Sequence, residues 1–352
     1  MGRTSSLSAY IVTRLILSLP MLIILLTVVF LVLRVLPGDP ISAIYGGRAP
    51  LEVVERARAQ LGLDKPLIIQ YFDYMRAILV EPFARLLRLQ APTPDLGYSL
   101  KYTGQTVWSR VITVLPGTIE LTFYGMLVAI MIGTVTGMVA GSRRDTPVDV
   151  GLRMYGIVAY VIPIFWLGLM FQLVFALWLG WLPPNGRMSG EFPKFRTGLY
   201  TIDSLLEGDL TKFLDAVSHL ILPALALGIV ISGLFTRIIR VNMLQTMRSD
   251  FVEAARARGI KERVVIYKHA FKNAMIPVIT VMGLQFALLF SGAVLTEKTF
   301  NWPGMGTRLL TAITERDFPV VQGAIIVYAI MVVIASLAID IINAFVDPRI
   351  RY

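Results

Sequence analysis

Six stretches of this chain, roughly 11–35, 115–140, 154–180, 219–240, 275–296 and 320–345, are each apolar enough and long enough to cross a bilayer. About 20 apolar residues suffice for one crossing. Of the 352 residues, 56% are hydrophobic and only 16% charged, whereas a soluble domain carries about a quarter charged residues. The pattern predicts an all-α integral membrane protein with six transmembrane helices. The first run follows Arg3 and surrounds Arg14. It is too long for the apolar region of a signal peptide, and LRVLPGDP follows it instead of a small-x-small cleavage site, so it reads as an uncleaved first span.

The net charge of +10 would point to nucleic acid in a soluble protein, but here its distribution gives the topology. Residues 237–274 hold nine Lys/Arg against three acids, residues 181–218 hold four against five, and the 141–153 turn carries Arg143, Arg144 and Arg153. Basic short loops stay inside. Both termini and the 141–153 and 237–274 loops are therefore expected in the cytoplasm, with residues near Asn185 and Trp302 outside. Nucleic acid is not an expected partner. The lipid bilayer is.

This divides the chain into a tail and first span (1–35), an extracytoplasmic helical segment (36–114) and a five-span core (115–352). In the second segment, APLEVVERARAQLGLDKP has Pro50 placed for a first helical turn. Leu51, Val54 and Leu61 recur at helical spacing, and Gly62 acts as a stop. Asp64 and Pro66 open a second short helix through IIQYFDYMRAIL. Two readings stand for this small subdomain: a docking surface or lid, and a packed cap on the spans. Residues 82–95 read as an exposed excursion.

Chemistry is sparse. There are no cysteines, which removes disulfides, thiolate metal sites and cysteine nucleophiles. No Gly-Lys dipeptide occurs, so there is no phosphate-binding loop, and neither GxSxG nor HExxH is present. His219 and His269 fall on opposite sides of the expected membrane. No catalytic residue, metal site or cofactor is expected. Intramembrane carboxylates mark ion relays; here Glu120 and Asp340 lie near span ends, where headgroup water is expected within reach. Gly133, Gly137 and Gly141, spaced by four, offer a flat helix-packing face, either within this chain or toward a second subunit.

Between spans four and five lies SDFVEAARARGIKER. Asp250 can cap a helix with Glu253 closing the box, Ala254, Ala255 and Ala257 favour helix with little bulk, and Gly259 supplies a left-handed stop. The basic stretch KERVVIYKHAFKNA leads on to Pro277. Such a hairpin, held by both spans, is either a lever or a basic surface element on anionic lipid. Small alanines suit a protein groove better than lipid, which favours bulky anchors. Outside, Trp302, Pro303 and Gly304 form a rigid turn at the expected interface, read either as an outer gate or as an interfacial anchor.

At EAARARG and HAFKNAMIP the chain resembles the cytoplasmic coupling loop (241–274 here) of permeases in binding-protein-dependent ABC importers. LPGDP, LGLDKPLIIQYFDYM, DLGYSL, LPGTIEL, HLILPALALG, LTEKTFNWPGMG, RDFPVVQG and DPRIRY are similar to the dipeptide/oligopeptide branch. The match is to the first of the two permeases such systems encode. The resemblance implies a type I ABC importer permease fold in the cytoplasmic membrane of a prokaryote. It implies a second homologous permease, two cytoplasmic ATPase subunits and an external solute-binding protein as partners. It implies ATP hydrolysis by those ATPases, with motion passed through Glu253, Ala254, Ala255, Arg258 and Gly259. Relatives in this branch also import oligosaccharides and nickel complexes, and the substrate-binding residues stay open. The competing expectation is an autonomous channel or ion-coupled carrier, which should show inward-facing charges or paired broken helices.

Overall fold

The computed structural model describes residues 2–35, 51–60, 62–80, 96–194 and 196–346. The LPGDP motif, Pro50, Leu61, the 82–95 stretch and the terminal DPRIRY lie outside them. Apart from one antiparallel bridge between Tyr98 and Thr106, these residues form helices and turns. In chain order the helices are α1 (Gly2–Val35), α2 (Leu51–Gln60), α3 (Leu67–Met75), α4 (Val107–Ile112), α5 (Leu115–Ser142), α6 (Pro147–Val161) and α7 (Ile164–Phe171). They continue with α8 (Tyr200–Glu207), α9 (Leu210–Thr246), α10 (Asp250–Ala257), α11 (Glu262–Val264), α12 (Lys272–Thr299), α13 (Met305–Thr314) and α14 (Phe318–Val346).

Among the described residues five stretches are long and apolar enough to span a membrane, and a bent pair makes a sixth if it counts as one crossing. That pair is the expected third span. It is not straight: α6 and the stretch Ile164–Trp178 meet at 100°. The cause is local. Ile162 precedes Pro163, and both adopt extended backbone (φ −62, ψ 127 and φ −62, ψ 128), as expected where a proline ring clashes with a helical predecessor. The 15 residues of α6 rise only about 22 Å, short of the roughly 30 Å hydrocarbon core. Neither arm crosses alone.

The chain divides into two compact units, one built on Pro116–Gly304 with segments from the chain's ends, the other on Leu15–Leu115 and Met305–Val333. In the first, α5 and α9 run in register. A Cβ on Gly125 would lie 3.0 Å from Leu227 Cβ, on Gly133 2.5 Å from Phe235 Cβ, on Gly137 2.7 Å from Ile239 Cβ and on Gly141 2.4 Å from Met243 Cβ. The expected glycine face thus lies against a helix of the same chain, where absent side chains let backbones approach. Around this seam Leu121, Leu227, Phe235, Ile239, Met243, Val265 and Val278 form the core.

In the second unit Val107 and Val111 of α4 pack with Met305, Ala312, Val320 and Ala324. Leu26 and Val29 of α1 meet Ile326, with Tyr74 and Ile78 alongside. Two sequence motifs converge here. Asp317, 1% exposed, accepts from Ser99 Oγ at 2.5 Å and from the Leu100 amide at 3.1 Å, so DLGYSL is fastened to RDFPVVQG. Between α2 and α3, Gly62 adopts φ +63 and Leu63 N donates to Arg58 O, the expected left-handed stop.

Candidate functional site

The basic hairpin begins where α9 ends. Ser249, not Asp250, holds the cap position, with extended backbone at φ −81, ψ 149. Its hydroxyl donates to Thr246 O rather than capping, and Asp250 and Glu253 sit in the first turn as acids near the positive helix end. The expected Asp250–Glu253 box therefore does not form: the cap is one residue earlier, Val252 stands where a box would need Glu or Gln, and there is no side-chain cap bond. Val252 and Ala255 are buried in the first unit's core, while Glu253, Ala254, Arg258 and Gly259 are exposed. One face of α10 grips the bundle and the other is presented outward.

The stop is where expected. Gly259 has φ +72, with its amide bonded to Arg256 O and the Ile260 amide to Ala255 O, a left-handed closure that favours glycine. Arg256 then clasps Glu262 across the turn with two bonds, 2.7 and 3.1 Å. The half-exposed pair contributes little energy but fixes the turn's direction. From Glu262 the helix does not break. Val264 (φ −70, ψ −38) and Phe271 (φ −60, ψ −44) stay helical through a π-helical stretch, Val265–Phe271, and the chain continues as α12 to Thr299. The hairpin's second arm and the candidate membrane-spanning helix are thereby one continuous helical stretch with no intervening loop.

A second cluster lies at the other end of the same unit. Trp302 is 1% exposed, not an aromatic at a water interface. Its Nε1 donates to Gly117 O at 2.9 Å and its amide to Glu297 O at 2.7 Å. A Cβ on Gly304 would fall 2.3 Å from the Glu297 carboxylate, and one on Gly117 would fall 2.4 Å from Pro303 O. Thr118 Oγ1 donates to Glu297 Oε1. LPGTIEL and LTEKTFNWPGMG thus close on each other, with glycine needed at both contact points.

Glu120 differs from its expected setting. It is 3% exposed, away from headgroup water, and accepts from Arg187 as well as from the Thr201 amide and hydroxyl at 2.9 and 2.7 Å. The Arg187 guanidinium lies 3.7 Å from the Tyr200 ring and 5.5 Å from that of Trp302. The loop that supplies Arg187 is itself held by Asp203, fully buried, which accepts from Arg196 N, Thr197 N, Thr197 Oγ1 and Gly198 N. Burial works to raise the Asp203 carboxyl, but the Thr197, Arg196 and Gly198 donors outweigh it and hold it below the ordinary carboxylate range. His219 has ordinary structural contacts, to Ser189 Oγ at 3.0 Å and Asp215 O at 2.9 Å.

Arg187, Asp203 and Glu297 were not singled out by the sequence. Their sequence signals were slight: Arg187 follows Gly186 in a loop, Asp203 falls in the first turn of a helix, and Glu297 stands in LTEKTFNWPGMG five residues before Trp302. Asp340, near the end of the last span, pairs with Arg14 at 3.4 Å.

The family model described as a binding-protein-dependent transport system inner membrane component matches residues 133–352. The model of that component's N-terminal part matches residues 7–122. The chain belongs to this family. A dipeptide transport system permease of Alkalihalophilus pseudofirmus is 39% identical over 98% of this chain and 99% of its own length. A di/tripeptide transport system permease of Pseudomonas aeruginosa is 38% identical over 98% and 99%. A dipeptide transport system permease of Escherichia coli is 35% identical over 97% and 98%. As a family member the chain is a multi-pass permease subunit of a bacterial inner-membrane transporter, not itself catalytic, and works with ATPase and binding-protein partners.

Proposed function

We propose that this chain forms half of the translocation path of an ATP-driven importer for dipeptides and tripeptides. In this reading an external binding protein delivers the solute, a second homologous permease completes the path, and two ATPases engage the cytoplasmic hairpin. The observation that carries the peptide assignment is near-full-length similarity, at 35 to 39% identity, to permeases named for dipeptide transport. The coupling assignment is supported by α10 and the turn that ends it, where Glu253, Ala254, Arg258 and Gly259 are exposed while Val252 and Ala255 are built into the core.

The orientation that fits puts both termini and Gly259 in the cytoplasm and Asn185 outside, consistent with nine basic residues against three acids in 237–274. Because the native chain has no cysteine, single cysteines at 185 and 259 report directly. An impermeant thiol reagent on sealed right-side-out vesicles should label position 185 and spare 259. Reconstitution with the second permease, the ATPases and the binding protein should give dipeptide uptake that requires ATP. Uptake by the isolated chain without ATP, or uptake of other solutes in preference to peptides, would sink the reading.

A further inference from the structure

Between α6 and α9 runs an open groove of about 640 Å³, within the size range of sites that take a small molecule. Its wall is mostly apolar: Ile157, Tyr160 and Val161 from one helix and Leu234 from the other, the first three more than half exposed. Its floor is a close contact of the two backbones, since a Cβ on Gly233 would lie 2.5 Å from Gly156 O. Three arginines, Arg153, Arg237 and Arg240, line it as well. Arg240 is committed, donating to the buried Asp149 carboxylate from Nε at 2.5 Å and Nη2 at 2.8 Å, and Arg153 stands 3.7 Å from the same group. Arg237 has no ion pair or hydrogen bond among the described residues. The groove therefore holds one carboxylate against three guanidinium groups, one of them unanswered.

We infer that this groove binds one anionic phospholipid, its phosphate at Arg237 and Arg153 and an acyl chain laid along Ile157, Val161 and Leu234. Length fits this assignment. From Arg153 to Val161 the helix rises about 12 Å, most of the roughly 15 Å of one hydrocarbon leaflet, so with Val161 near the midplane Arg153 comes within reach of the headgroups. Charge fits as well. A wholly apolar groove would accept a neutral lipid or a partner helix equally, whereas unanswered guanidinium beside apolar wall selects a ligand with a phosphate at one end and hydrocarbon at the other. Basic pockets between membrane helices are suited to anionic headgroups, and each basic side chain contributes on the order of five-fold in affinity.

The test uses the full-length chain in nanodiscs with one cysteine, Ile157→Cys, carrying an environment-sensitive fluorophore. Phosphatidylglycerol with brominated acyl chains should quench it at about a five-fold lower mole fraction than brominated phosphatidylcholine. Arg237→Gln should remove most of that preference and Arg237→Lys should keep it. Equal quenching by the two lipids in the unsubstituted chain would overturn the proposal whatever the variants do. No quenching by either lipid, which means protein covers the groove, would overturn it too.

Discussion

Arg187 Nη2 and Glu120 Oε2 lie 2.5 Å apart, joining the loop that precedes α8 to α5 across 67 positions of sequence, with both side chains at most 5% exposed. Removing one partner strands the other charge in a site with little water. Breaking a buried pair this way costs about 3–5 kcal/mol, whereas replacing both groups together can be nearly neutral. Glu120→Gln and Arg187→Met should each lower the thermal unfolding midpoint in detergent and open residues 181–218 to protease. The double variant should recover much of the loss. A double variant whose loss equals the sum of the two single losses would show that the pair is not a coupled unit.

The same loop should answer to acid. The folded-state value of Asp203 is lowered, so its contribution to loop stability is complete above the ordinary carboxylate value near 3.8. It disappears as pH falls through the lowered value. Hydrogen exchange at the amides of Arg196, Thr197 and Gly198 should therefore stay slow through mildly acidic pH and accelerate only below the ordinary carboxylate range. Asp203→Asn should make those amides exchange quickly at every pH. Acceleration beginning near pH 5 would contradict the assigned direction.

Two glycines give opposite expectations for one substitution. A Cβ at Gly137 would sit 2.7 Å from Ile239 Cβ and 2.9 Å from Thr236 O, while at Gly151 it would meet nothing within 4 Å. Gly137→Ala should force α5 and α9 apart, with an overpacking cost of about 1–3 kcal/mol. Gly151→Ala should stabilise α6 by up to about 1 kcal/mol from helix propensity. Thermal midpoints of the two variants in one detergent should move in opposite directions.

How much of this was written in the sequence depends on the range of the forces involved. Hydrophobic run length announced the spans, and the left-handed stops at Gly62 and Gly259 follow from glycine's own backbone freedom. Local competition decided the cap: Ser249 and Asp250 are both capping types, and only the backbone shows that Ser249 is the last non-helical residue. Pro163 permitted a kink, but its 100° size depends on Ile162 also leaving the helical region. The Glu120 environment was not legible, because a carboxylate at a span end is solvated unless a distant residue covers it. That residue, Arg187, sits in a loop whose path is fixed by Asp203. Trp302 shows the same limit, since an aromatic beside Pro-Gly looks interfacial until the Gly117 carbonyl is brought to its ring nitrogen.

The hairpin yields the sharpest functional expectation. Gly259 combines φ +72 with open space around its missing Cβ, so a substitution there is penalised by backbone conformation and not by clash within this chain. A left-handed residue other than glycine costs roughly 1–2 kcal/mol, less for asparagine, and a β-branched side chain is a pronounced outlier. Neither cost should unfold a multi-span bundle, so Gly259→Asn and Gly259→Val should both insert and fold. If the turn only sets the angle between α10 and the long helix that follows, Asn should transport at close to the wild-type rate and Val should fall at least ten-fold. If an ATPase surface packs directly on the turn, Asn should fail as well, with ATP hydrolysis no longer stimulated by loaded binding protein. Transport and stimulated hydrolysis measured side by side on the two variants separate these cases. A Val variant that transports at the wild-type rate would remove the hairpin from the coupling path.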